Sequence, residues 1–246
     1  MEVVGDGMIA RAFVNSRMGI DDVVVFAAGV SRSTATEATE FHREADLLHE
    51  VMGAARAGRR RLLYFSTASA HLYGNGDGSP RSEEDPVHPT TAYGRHKVAM
   101  ENAIRTSGVD HLILRVTEVV GPHQRRHQLL PALVSQVDDG VVTVYRGARR
   151  DLIDVADLVT IAAELLRGGL HHATVNIASG HPVTAEEIVS HLVTMSGRAV
   201  TKVYVDIPAN DYNVSTKRMT QHAPSTARMG FSPTYYRNVI DRYYRF

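Results

Sequence analysis

Tyr93 and Lys97 lie one helical turn apart in the stretch AYGRHK, so a helix presents both on one face. A phenol ordinarily keeps its proton until about pH 10. A nearby ammonium group favours the phenolate and lowers that value. The pair can then give or take a proton near neutrality, which carbonyl reduction and alcohol oxidation require. Many solvated helices carry the same two residues, so the pair needs a companion. Ser69 is one: LLYFSTASAHLYG reads as a strand ending in small hydroxylated residues before a turn at Tyr73 and Gly74. A hydroxyl at the carboxyl end of a strand stands where open α/β sheets form ligand crevices, and it can hold a substrate oxygen.

The elements that must position these groups alternate. EVVG, DVVVFAA, RLLYFST and HLILRVT are continuous apolar runs, as expected of strands buried on both faces. Between them MIARAFVNSR, TEFHREADLLHEVMGAARAG and AYGRHKVAMENAIRTSG read as helices. In the second, Phe41, Ala45, Leu48 and Met52 recur at helical spacing, and Gly58 marks the end. Strand–helix alternation predicts an α/β fold with a mostly parallel sheet. Further on, Thr184 and Glu187 form a capping-box pattern before an apolar helix, VTKVYVDIP reads as a strand and TYYRNVIDRYYRF as a terminal helix. The chain of 246 residues is expected to be one domain, with a small lobe over about 120–145 and 170–246.

Composition narrows the function. There is no cysteine, which excludes disulfides, thiolate catalysis and cysteine zinc sites. The 13 histidines are scattered without metal-ligand spacing, so no metal is expected. Formal net charge is zero, and the basic clusters Arg59–Arg61, Arg125–Arg126 and Arg149–Arg150 read as solvated faces. Neither nucleic acid nor a membrane is an expected partner. With no signal-peptide pattern and no membrane-length apolar run, a cytoplasmic location is the simplest expectation.

The opening residues Gly5-Asp6-Gly7-Met8-Ile9-Ala10 fit G-x-G-x-x-A between a short strand and a helix. Small residues let the backbone approach a pyrophosphate, and the helix N-terminus favours its charge. A dinucleotide fold should then supply a second strand with a carboxylate for the adenine ribose. Here DVVVFAA follows after only one helix.

At this point the chain resembles the extended short-chain dehydrogenase/reductase family of nucleotide-sugar epimerases, dehydratases and ketoreductases. VVVFAAGVSRS resembles the family's strand ending in two alanines. YFSTASAHLYG and EEDPVHPTTAYGRHK resemble its Ser and Tyr/Lys segments, and LRVTEVVGP, GARRDLIDVADLV and VNIASGHPVTAEEIV resemble later segments in order. The resemblance implies a Rossmann-like fold truncated at the adenine side, with a small C-terminal substrate lobe. It implies Tyr93 as acid/base, Lys97 as its electrostatic partner and ribose anchor, and Ser69 as the group holding the reacting sugar oxygen. It implies NAD or NADP on Gly5, Gly7, Met8, Ile9, Ala10, Ala27, Ala28, Tyr93 and Lys97, a nucleotide sugar on Ser69, Glu118, Arg125 and Arg150, and a homodimer through the helices around Tyr93.

The pattern also breaks. If DVVVFAA is the family's fourth strand, strands two and three are missing, and a right-handed first crossover puts the first helix on the opposite sheet face from usual. If it is the second strand, Ser31, Arg32 and Ser33 follow it, and Arg32 suits the 2′-phosphate of NADP. The first register fits the following helix and strand better; in either, Arg32 is a candidate for the adenine end. Glu118 stands where the family has an asparagine, and its charge would repel a phosphate. The expected activity is an NAD(P)-dependent reductase or epimerase acting on an activated sugar. Two alternatives stay open: a cofactor-free binding or assembly protein, and a non-redox lyase or cyclase using Tyr93.

Overall fold

Five parallel strands form the centre of the molecule, in a computed structural model that describes residues 1–16, 18–32, 34–74, 79–207 and 213–246. Ser33 lies outside the described residues, as do positions 208–212 of the expected lobe. The strands are β1 (Glu2–Val4), β2 (Val23–Phe26), β3 (Arg61–Thr67), β4 (His111–Val116) and β5 (Ala173–Ile177). They pair in that order, with Val3 opposite Val25, Val24 opposite Leu62, and Leu63 opposite Leu112. DVVVFAA is therefore the immediate neighbour of the first strand, and the sheet ends at β1 with no described strand beyond it.

Strand pleating divides the core in two. Val23, Val25, Leu63, Phe65, Leu112 and Leu114 face one way and meet α1 (Met8–Asn15) and the helix Val155–Arg167. Val24, Phe26, Leu62, Tyr64 and Ile113 face the other way and meet α2 (Ala38–Ala57) and α3 (Ala92–Thr106). Burial on both faces is why these strands read as unbroken apolar runs.

The position of α1 corrects one expectation. The steps β1 to β2 and β2 to β3 run in the same direction, yet α1 and α2 cover opposite faces. The first crossover thus has the opposite hand to the second, against the right-handed rule. Packing supplies the reason. The apolar side of helix Val155–Arg167, with Leu158, Ile161 and Leu165, needs a neighbour over β1 and β2, and Phe13 of α1 closes it, edge-on to Phe65 at 5.5 Å.

A second apolar cluster joins Leu130 and Leu133, Val142 and Val144, Ile188 and Leu192, and Val239 and Ile240. These come from helices Leu129–Asp138, Ala185–Ser196 and Tyr235–Tyr243 and from strand Val141–Arg146, which pairs in parallel with Thr201–Asp206. Thr184 and Glu187 close the reciprocal cap at the start of Ala185–Ser196. Part of 170–246 packs elsewhere: β5 belongs to the main sheet, and Met219 and Ala223 join its core. Among the described residues, no helix is long and apolar enough to cross a membrane.

Candidate active site

The end of β3 carries the first functional group. Ser69 adopts extended backbone (φ −135°) and caps the single turn Ala70–Tyr73, its carbonyl accepting from the N–H groups of Leu72 and Tyr73 at 3.0 Å. Its hydroxyl accepts from Thr67 Oγ1 at 2.9 Å. The second group comes from α3, whose N-terminus is capped by Thr91, accepting from Gly94 N at 3.1 Å. Gly94 is required here by contact: a Cβ on it would lie 1.8 Å from the His71 carbonyl oxygen. That backbone-to-backbone approach seats the start of α3 against the Ser69 turn. It turns Tyr93, Gly94, Lys97 and Glu101 inward, although most of that face is polar.

Ser69, Tyr93 and Lys97 consequently border one cleft of about 500 Å³. Thr67 borders the cleft beside them, its hydroxyl donating to Ser69. Lys97 Nζ stands 5.8 Å from the centroid of the Tyr93 ring. It is bound, however, to a residue the sequence reading passed over. Lys97 donates to Glu44 Oε1 at 2.9 Å, and Tyr64 OH donates to the same oxygen at 2.7 Å. Val30 N donates to Glu44 Oε2 at 2.6 Å, with His96 Nε2 3.0 Å away. Lys97 and Glu44 are both buried, and a Cβ on Gly29 would lie 2.8 Å from Lys97 Nζ and 2.9 Å from Glu44 Oε1.

This changes the expected electrostatics. Burial pushes the Tyr93 phenol up; Lys97 pulls it down, but Glu44 opposes that pull and the net shift is upward. The expected lowering of Tyr93 is not what the free cleft produces. Burial pulls Lys97 down, but Glu44 outweighs it and holds the ammonium above its ordinary value. Glu118 is raised by burial, with Arg150 opposing, and His71 is lowered by burial and then by Arg150.

Gly7, Met8, Ile9, Ala27, Ala28, Glu118, Arg125 and Arg150 border the same cleft. Gly5 and Ala10 shape it from behind. Gly5 has φ +125°, and a Cβ there would lie 2.6 Å from the Ala27 carbonyl oxygen. Ala10 is buried under the helix start. A Cβ on Gly7 would meet nothing within 4 Å, so the turn faces open space. No side chain caps α1, which leaves its first N–H groups available to an anion. Arg125 lies 3.9 Å from Asp6 across the mouth. Arg32 does not reach the cleft: it pairs with Glu40 at 2.9 Å on the surface.

The model of the NAD dependent epimerase/dehydratase family matches residues 6–178. The chain belongs to that family. Among curated relatives it is 30% identical over 200 residues to a dTDP-6-deoxy-L-talose 4-dehydrogenase (NAD(P)(+)) of Kitasatospora kifunensis, covering 73% of this chain and 60% of the relative. It is 28% identical over 229 residues to a dTDP-glucose 4,6-dehydratase of Streptomyces niveus, covering 87% of this chain and 66% of the relative. The chain thus spans 60% and 66% of the length of these two relatives. Its fold matches that of RMD from Pseudomonas aeruginosa, solved with NADPH, at a TM-score of 0.76 and 18% identity over 90% of this chain and 91% of that one.

Proposed function

We propose that the chain is an NAD(P)-dependent reductase or epimerase acting on a nucleotide-activated sugar. The observation that carries this is the meeting of Ser69, Tyr93 and Lys97 in one cleft with the glycine turn and the open N-terminus of α1. A nicotinamide cofactor, when bound, supplies the hydride chemistry at a sugar carbon. The residues at its nicotinamide and diphosphate end fit: Gly7 faces open space, Ala27 and Ala28 add no bulk, and the first N–H groups of α1 carry no side-chain cap.

The other steps belong to the protein. The Tyr93 hydroxyl gives a proton to, or takes one from, the oxygen on the reacting carbon. Ser69 holds that oxygen, its own hydroxyl fixed by the bond from Thr67. Lys97 keeps its charge in the interior because Glu44 neutralises it; its ammonium donates to Glu44, Tyr64 OH and the Phe65 carbonyl, so it acts on Tyr93, 5.8 Å away at the ring centroid, through a field that Glu44 partly cancels. Arg150 and Arg125 suit the sugar's diphosphate, where guanidinium forks bind well. Glu118 loses its charge more readily than a free carboxylate, because burial raises it, and this reduces its repulsion of a phosphate. The cluster around helices Leu129–Asp138 and Ala185–Ser196 serves in this reading as the substrate lobe.

Purified protein incubated with dTDP- and UDP-linked 4-keto sugars and NADH or NADPH tests the reading. Consumption of reduced nicotinamide supports it. Absence of both turnover and nicotinamide binding refutes it. A cofactor-free binding protein, the reading favoured by the tied-up Lys97, predicts nucleotide-sugar binding with no nicotinamide effect in the same experiment.

A further inference from the structure

The cleft has two unequal ends. The inner end is enclosed by Ser69 and Tyr93, by Glu118 from the segment after β4, and by Arg150. The outer end, past the Gly5–Gly7 turn, is bordered by Ser31, Arg43 and Leu47, which follow β2 or belong to α2. These residues make a single wall. Opposite them the sheet stops, since β1 has β2 as its one described partner, and no described residue of an element beyond β1 borders the cleft.

In a dinucleotide fold that missing side holds the adenine ribose, through a carboxylate on the next strand or an arginine for a 2′-phosphate. Among the described residues, neither is supplied on that side. Glu2 of β1 is turned to the surface in an ion pair with Arg60, and Arg32 is held by Glu40 with its side chain 44% exposed. Arg43 is exposed, where solvent and salt screen a charge contact.

We propose that this chain grips a nicotinamide dinucleotide by its nicotinamide-ribose and diphosphate half, with the adenosine half lying against one wall in solvent. The mononucleotide half then binds nearly as well as the whole, and NADH and NADPH are not told apart. This inference rests on the reading of the cleft as a nicotinamide site. It concerns the outer end alone, which the missing strands leave open.

Binding of NADH, NADPH and reduced nicotinamide mononucleotide is measured by calorimetry and by the fluorescence of the reduced nicotinamide, with AMP as competitor. The expected result is three dissociation constants within about tenfold of one another, a spread of about 1.4 kcal/mol, and no displacement of NADH by AMP. Arg43→Ala is expected to leave the NADPH-to-NADH ratio unchanged. A mononucleotide weaker than NADH by more than that factor, an equal gap between NADH and NADPH, or competition by AMP would overturn the proposal. Failure of all three nicotinamides to bind is a different outcome: it removes the cofactor reading itself, and this inference with it.

Discussion

Glu44→Gln tests the part of the site that was invisible in the motifs. The amide keeps the shape of the side chain but has one acceptor oxygen, which can serve either Val30 N or the Tyr64 OH and Lys97 side, so the charge and one of the two acceptors are removed together. Lys97, only 2% exposed, is left in the interior without its counter-ion. Breaking a buried pair from one side costs about 3–5 kcal/mol. In a chain of this size each kcal/mol lowers the melting temperature by about 2–4 °C, so the expected drop is roughly 6–20 °C. The pH dependence gives a second signature. Burial alone would raise Glu44, but Lys97, His96, Tyr64 and the Val30 N–H together hold it far below the usual carboxylate range. Its contribution is present above the unfolded value of about 4.3 and is lost as pH falls. Lys97 is held above its ordinary value, so its contribution is present below about pH 10.4 and lost as pH rises further. In the variant, burial pulls Lys97 down against Tyr93 and Glu101 alone, without Glu44, the largest opposing influence, and lowers it. The unfolded chain then binds more protons than the folded one between the two values, and stability rises with pH there. Melting curves followed by circular dichroism should therefore show the gap between the two proteins widest near neutrality and narrowing toward acid and alkali. A drop below about 2 °C at neutral pH, or a gap that is the same at every pH, would refute the reasoning.

Other outcomes follow from the same geometry. Gly94→Ala forces a Cβ against the His71 carbonyl, a contact between backbones that cannot move aside cheaply; denaturant unfolding should show a loss of at least about 1–3 kcal/mol, with weakened nicotinamide binding. Arg32→Ala removes an exposed ion pair and should change stability by no more than about 0.5 kcal/mol and leave cofactor affinity intact; a clear loss of affinity would return Arg32 to the site. Arg150→Ala should raise KM for a diphosphate-linked sugar with little change in kcat, as expected for a group that binds ground and transition states alike. Removing Arg150 also takes away the charge that opposes the rise of Glu118, so the acidic limb of the KM profile should move to higher pH.

The sheet is legible in the sequence where burial is symmetrical. β1 to β4 are nearly unbroken apolar runs because helices cover both faces. β5 is less so: it carries Thr174 and Asn176, the latter accepting from Tyr73 OH at 2.7 Å, and it stands at the far edge. The hand of the first crossover is not legible, because it depends on which side of helix Val155–Arg167 is left uncovered, and that helix is encoded far downstream. The inward face of α3 is polar, so hydropathy alone assigns it to solvent; the chemistry of Tyr93 and Lys97 is what reveals it. Glu44 fails for the complementary reason. The apolar pattern of α2 suggests a face through Phe41, Ala45, Leu48 and Met52, whereas the buried side runs through Glu44, Leu48, Met52 and Ala55. The available signal was a carboxylate four residues before Leu48, at a core position that demands a buried cation.

The central claim is that the Tyr93 hydroxyl moves the proton in a cleft that also holds a nicotinamide. Tyr93→Phe removes one oxygen atom, and its measurement is turnover of a 4-keto nucleotide sugar alongside NADH binding by calorimetry. Turnover should fall by about 10²–10⁴, the range of a general acid or base, while NADH affinity stays unchanged. Turnover equal to that of the unmodified protein, with NADH still bound, would contradict it.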